Sequence, residues 1–378
     1  MLYTIPDYYK KFQCTAQECE DTCCAGWQIA VDGRSLKNYK AVRGDYRKTL
    51  HKGIRWYRGV FKQKEDKRCA FLNEDNLCDM YIHLGKESLC KTCRLYPRHI
   101  EEFEGVREIS LSVSCPEVAR ILLNKKDKTR FLSKEKEGEE EYDDFDPFLY
   151  SLLVDMREAI FEILQNRDLD LDVRCGLVYG MAHDVQYRVD KGETFSCYDV
   201  LEKYKRLPAQ KFVERKVAEN RAERNGIYEF YKERFHDLYR LELLKEDWDY
   251  QLLEVEEWLF RKESSEEYWD ITEKFEAWIK DAQFPWEIQK EQLLVYFIYT
   301  YFCGAVYDGY ILEKTQMALL MPALLEEMLK VRWILNEKNL DMEDVVELTY
   351  RFSREVEHSD INLKRMEAMM PPEHGLFC

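Results

Sequence analysis

The chain has 378 residues, 46% hydrophobic and 14% aromatic, with only 15 glycines and 9 prolines, which excludes disorder and collagen and leaves room for two or three domains of about 150 residues each. Its formal charge of −16 is unevenly spread: residues 1–132 carry 25 Lys and Arg against 18 Asp and Glu, net +7, and residues 133–378 carry 32 against 55, net −23. So acidic a larger half excludes a nucleic-acid surface there, because neutralising phosphates needs clustered cations.

Along the chain, Met1–Lys10 lacks a basic region followed by an apolar core, so no secretory signal is expected and the protein is expected to be cytoplasmic. A first cysteine cluster follows, Cys14-x4-Cys19-x3-Cys23-Cys24, and a second, Cys69-x8-Cys78-x11-Cys90-x2-Cys93, with Cys115 beyond it. Trp27–Val31 and Val106–Val113 carry strand-like patterning between turn residues. The charged stretch 127–146 has almost no apolar periodicity and is expected to be a linker, with the boundary near residue 140. Beyond it, apolar residues recur at helical spacing in Pro147–Leu164, Leu171–Arg188, Gln210–Lys262, Tyr268–Lys280, Trp286–Val306, Lys314–Asn336 and Met342–Phe352. Pro322 is expected to kink or interrupt its helix, and Phe284-Pro285-Trp286 to start one. The sixteen uncharged residues Gln292–Tyr307 fall short of the roughly 18 to 20 of a membrane span and read as a buried helix. The expected fold is therefore mainly α: a small, loop-rich, Cys-rich metal-binding domain at 1–135 packed on a helical bundle at 146–378.

Nine of the 13 cysteines lie in the first 115 residues. Disulfides suit small secreted domains, which this chain does not resemble. Zinc favours four thiolates supplied by short C-x2-4-C knuckles, a form met by Cys90-x2-Cys93 and Cys19-x3-Cys23. Iron–sulfur clusters accept more variable spacings. Adjacent Cys23 and Cys24 suit one tetrahedral ion poorly and different centres or different irons better. Spacing leaves zinc and iron–sulfur level. The expected ligand pool is Cys19, Cys23, Cys24, Cys69, Cys78, Cys90, Cys93 and Cys115; Cys14, with its looser x4 spacing, stands outside it. Lys91, Arg94 and Arg98 are candidates to offset thiolate charge. His51, His83 and His99 are ligands by type but are more often plain surface or core histidines.

CTAQECEDTCCAGWQIAVD (Cys14 to Asp32), RCAFLNEDNLCDMYIHLGKESLCKTCRLYPR (Arg68 to Arg98) and ISLSVSCPEVARILL (Ile109 to Leu123) resemble the flagellin lysine N-methylase family, whose N-terminal part is similar to zinc- or iron-chelating cysteine-cluster domains. LLVYFIYTYFCGAVYDG (Leu293 to Gly309) looks like that family's aromatic-rich helix. The resemblance implies methyl transfer from S-adenosylmethionine to flagellin lysines, with a [4Fe-4S] cluster, or zinc as the alternative. The residues themselves are silent on the methyl donor: there is no strand–G-x-G–helix signal and no C-x3-C-x2-C triplet. A non-catalytic metal-binding module is the rival reading. Neither nucleic acid nor membrane is an expected partner, and oligomeric state is left open. Because a lysine ammonium with pKa near ~10.4 must lose its proton before attacking a sulfonium methyl, a carboxylate or tyrosinate is sought at the seam between the halves. Tyr296, Tyr299, Tyr301, Tyr307, Asp308 and Tyr310 lie on the segment to inspect. Aromatics at helical spacing usually make core, so no catalytic or cofactor-binding residue is assigned.

Overall fold

The computed structural model describes residues 1–138, 142–245, 247–261 and 265–369. Helices dominate, as the patterning predicts. The strands among the described residues are β1 (Leu2–Pro6), β2 (Ile54–Arg55), β3 (Val60–Phe61), β4 (Arg98–Phe103), β5 (Val106–Leu111) and β6 (Phe131–Glu135). β2 and β3 pair with each other; the others form one sheet in the order β4-β5-β1-β6. β1 runs parallel to β5, with Leu2 opposite Val106, and antiparallel to β6, with Pro6 opposite Phe131.

Two expectations change here. The charged stretch 127–146 is not simply a linker, since its residues 131–135 form the edge strand β6. Leu132–Glu135 face solvent, which explains the charge, whereas Phe131 stacks on Tyr299 at 4.2 Å and Phe161 at 4.7 Å. Residues 139–141, where the boundary was placed, lie outside the described residues. Trp27–Val31 is not a strand. Ile29 and Val31 are buried and Gln28 and Ala30 exposed, as a strand requires, but the neighbouring β3 offers only a single bridge, Ala30 to Val60.

Apolar burial divides in two. A small core gathers Ile29, Val31, Tyr39, Leu50, Ile54, Phe61, Phe71, Leu72 and Met80 with Cys69 and Cys90. It is close-packed: a Cβ on Gly53 would drive into the Phe71 ring. The large core runs from Tyr8 through the sheet and helix Pro116–Leu123 into the bundle and on to Met369. Its spine is two helices, Trp286–Tyr301 and Ile311–Leu335. The former begins directly after Pro285, as expected. The latter continues through Pro322, so the interruption allowed for above does not occur; it is buried on nearly every face, and that packing outweighs the ~3 kcal/mol a proline costs inside a helix. No helix among the described residues is long and apolar enough to cross a membrane.

Sheet and bundle are locked by a buried ion pair. Arg157, on helix Pro147–Leu164, donates Nη1 to Glu108 Oε2 (2.6 Å) and Nη2 to Oε1 (2.5 Å), with 5% and 7% of the two side chains exposed. Such a pair contributes little net against an apolar substitute, but removing one partner strands a charge. Glu108→Ala is expected to lower unfolding free energy by about 3–5 kcal/mol in urea titration, and Glu108→Leu with Arg157→Met by much less.

Candidate functional site

Three chain segments assemble the thiol lobe. The Cys24 carbonyl accepts from the Cys69 amide (2.7 Å), joining the first cluster to the start of the second. Cys78, Cys90 and Cys115 each occupy the N-cap of a helix, Asp79–Leu84, Lys91–Leu95 and Pro116–Leu123. That position turns first-turn amides toward sulfur: Met80 and Tyr81 toward Cys78, Thr92 and Cys93 toward Cys90, Glu117 and Val118 toward Cys115. Amides so directed favour the thiolate. Burial opposes them and pushes Cys69 up to about 12 and Cys115 up to about 11. Where two thiols touch they share a proton: hydrogen bonding from Cys23 brings Cys24 down to about 7 while Cys23 rises, and Cys93 lowers Cys90 at its own expense.

The expected ligands fall into two neighbourhoods. Cys69, Cys78 and Cys93 each feel the charge of Cys24, and Cys93 also that of Cys90. Cys115 faces Cys19, and Cys23 faces Cys115. Cys14 is exposed beside Cys19. The donor chemistry is that of a thiolate metal centre. In this arrangement, however, no three Cys, His, Asp or Glu side chains among the described residues converge closely enough to share an ion. His51 packs on Trp56, His83 stacks on Tyr46, and His99 hydrogen-bonds Glu101. Cys175, Cys197 and Cys303 are buried in the bundle; Cys378 lies outside the described residues.

The cation beside the thiols is not the expected one. Lys91 and Arg94 are exposed, and Arg98 donates to the Tyr9 hydroxyl. Instead Arg354, on helix Met342–Glu357, lowers the proton affinity of Cys19, Cys23 and Cys115. It donates Nε to the Ser114 carbonyl (2.8 Å) and Nη2 to the Asp21 carbonyl (2.6 Å), and its Nη1 pairs with the Asp21 carboxylate (2.7 Å).

One turn on, the same helix closes a polar seam. Glu357 Oε2 accepts from Tyr296 (2.5 Å), Tyr301 (2.7 Å) and Ser112 (3.3 Å). Ser112 meets the Ser114 hydroxyl (2.6 Å), which in turn meets His358 Nε2 (2.9 Å) and Tyr96 (3.1 Å). Burial pushes His358 down to about 3, so it is neutral. Of the aromatic segment singled out above, Tyr296 and Tyr301 reach this seam. Tyr299 donates to the Thr4 carbonyl, Tyr307 to the Glu102 carbonyl, Asp308 pairs with Lys314, and Tyr310 is exposed. Arg354, Glu357 and His358 escaped the sequence reading; their signal is a helix whose Ser353–Glu355 stretch is polar where its apolar neighbours require burial. A groove of about 710 Å³ lies elsewhere on the bundle and is lined by Arg234, Asp237, Glu256 and Phe260 among others.

Arg354→Leu is expected to cost about 3–5 kcal/mol, because Asp21 is left buried with less charge compensation. Hydrogen exchange should accelerate at residues 19–24 before it does in helix Ile311–Leu335.

Residues 157–376, more than half of the chain, match the FliB lysine N-methylase C-terminal domain. The chain is 31% identical over 132 residues to the lysine-N-methylases of Salmonella typhimurium and Salmonella choleraesuis, which covers 33% of this chain and 33% of each relative. It is equally similar to the flagellar biosynthetic protein FliU of Salmonella muenchen, there covering 78% of the relative. The match thus spans only a third of the length of the two lysine-N-methylases. No solved structure matches.

Proposed function

The chain belongs to the FliB lysine N-methylase family, and we propose on that footing that it is a cytoplasmic protein lysine N-methyltransferase. Its methyl donor is S-adenosylmethionine and its substrate the lysine side chains of flagellin. The family match over 157–376 carries the reading. Two observations support it: the relatives' names, lysine-N-methylase and flagellar biosynthetic protein, and a polar seam able to handle a proton. Residues 1–135 form the metal-binding part, and 146–378 the helical part that contributes to substrate binding.

In this proposal the thiol lobe holds a [4Fe-4S] cluster, with zinc as the alternative, and Cys19, Cys23, Cys24, Cys69, Cys78, Cys90, Cys93 and Cys115 are the ligand pool. When bound, such a centre would supply a fixed charge and folding free energy to a lobe whose own apolar core is small. The protein's own groups do the rest. Arg354 offsets thiolate charge, the capping amides orient sulfur, and the seam receives the lysine.

Incubation with S-adenosylmethionine and flagellin from the same cell should add methyl masses to flagellin lysines; methylation of other proteins but never flagellin would remove the substrate. Anaerobically purified protein should be brown and contain iron and sulfide, whereas colourless protein holding only zinc would defeat the cluster. Serine at Cys24, Cys69, Cys90 or Cys93 should lower bound metal and soluble yield, while serine at Cys175, Cys197 or Cys303 should leave metal content unchanged.

A further inference from the structure

Resting on the methyltransferase reading, we propose that Glu357 is the carboxylate that receives the substrate lysine ammonium and takes its proton, with Tyr296 and Tyr301 as its positioning residues. Comparison with the other enclosed carboxylates sets it apart. Glu108 is paired with Arg157, Glu291 with Arg167 and Arg174, Glu326 with Lys290, and Glu327 with Lys330. Glu355 accepts two backbone amides, from Leu244 and Lys245, at 2.8 Å each. Among the described residues no Lys or Arg pairs with Glu357; its hydrogen bonds come from neutral hydroxyls, all to one oxygen. The other, Oε1, is buried with no hydrogen bond of good geometry, although Ser353 faces the carboxylate from one turn back.

An unpaired enclosed carboxylate is costly, and its position adds to the cost, since Glu357 is the last residue of a 16-residue helix, where the helix dipole is negative. A primary ammonium, with three donors and a positive charge, supplies what the protein withholds. Glu357, Tyr301, Ser112, His99 and His358 are each half-buried rather than fully enclosed.

Facing the carboxylate are Tyr296 and Tyr301 from one helix, Ser112 from the segment after β5, His99 from β4 with Glu101 beside it, Tyr8 from the segment after β1, and Ser353 from its own helix. Burial raises the proton affinity of Glu357 and the hydroxyls restrain it, which suits a group that must accept a proton near neutrality. In the reaction an N–H bond of the lysine ammonium breaks and its proton moves to Glu357. The freed nitrogen lone pair forms a bond to the methyl carbon of the methylsulfonium donor, and the carbon–sulfur bond breaks with its electron pair remaining on sulfur. The product leaves as a methylammonium, and Glu357 returns its proton to water.

The test uses the full chain. Glu357→Gln, checked for an unchanged melting transition, should transfer methyl to lysine about 10²-fold or more slowly at neutral pH. The deficit should shrink as pH approaches the lysine pKa of about 10.4 and free amine becomes available without a base. Tyr301→Phe, which removes a donor to the charged carboxylate, should fold normally and move the acid limb of the rate profile to higher pH, a shift that a purely structural role would not produce. Separately, Nα-acetyl-lysine methylamide should raise the melting temperature of the wild-type protein but not of Glu357→Gln. Wild-type rates in Glu357→Gln, or an equal thermal shift in both proteins or in neither, would overturn the assignment. Absence of methyl transfer by the wild-type protein to any lysine would instead refute the methyltransferase reading, and the thermal arm would still decide whether Glu357 binds an ammonium.

Discussion

A buried guanidinium can persist only where its donors meet acceptors that cannot move away, and Arg354, 4% exposed, satisfies that condition by fixing two distant stretches of chain. Its partners are the Ser114 carbonyl, directly before Cys115, and the carbonyl and carboxylate of Asp21, between Cys19 and Cys23. Lys245 also pairs with the Asp21 carboxylate, and Arg354 and Lys245 together outweigh the effect of burial and hold that carboxyl below its usual range. The segment bearing Lys245 is in turn held by Glu355 through two backbone amides. One face of helix Met342–Glu357 therefore positions the first cysteine cluster, the turn before Cys115 and the 242–245 segment at once.

That constraint also sets the polar seam. Arg354, Glu357 and His358 span one turn, so fixing the first fixes the others. Ser112, Ser114 and Cys115 follow one another along a tight stretch in which the Cys115 amide bonds back to the Ser112 carbonyl. The Glu357 carboxylate and the Cys115 thiol are thus linked through three residues of backbone. Helix Trp286–Tyr301 completes the enclosure by bringing Tyr296 and Tyr301 to the same oxygen. Both residues lie on the aromatic run that the sequence marks as buried, and burial is what makes their hydroxyls seek a partner.

Local pattern made much of the fold legible: helical periodicity, the Pro285 helix start and the strand after Gly105 each depend on neighbours in sequence. The misreadings share a cause. Lys134 and Glu135 look like linker residues because β6 is an edge strand whose outer face meets water. Ile29 and Val31 look like strand residues because both are buried, although no long partner lies beside them. Glycine-poor, apolar surroundings carry Pro322 through a helix that its own propensity would break. At the site, the cysteines announced themselves by type and spacing, but Arg354 and Glu357 lie more than 200 residues away from the cysteines, on an otherwise ordinary amphipathic helix. Only tertiary packing shows that their face is enclosed.

The vicinal pair Cys23 and Cys24 marks the division within the thiol lobe. Cys24 lies among Cys69, Cys78 and Cys93, whereas Cys23 faces Cys115 and Arg354. The two residues form the corners of a turn closed by the Ala25 amide on the Thr22 carbonyl (3.3 Å), and their thiols touch, so one dipeptide joins both groups. The consequence is a gradient of environment. The Cys24 group is built on the small core, with Cys69 and Cys90 inside it, and suits a role in holding that lobe together. The Cys23 group adjoins a cation and, through Ser112 to Cys115, the only enclosed glutamate among those compared that lacks both a Lys or Arg partner and a backbone donor. The Cys23 side thus combines the positive charge of Arg354 with, three residues of backbone from Cys115, a carboxylate held by neutral hydroxyls, a setting unlike the apolar one around Cys24.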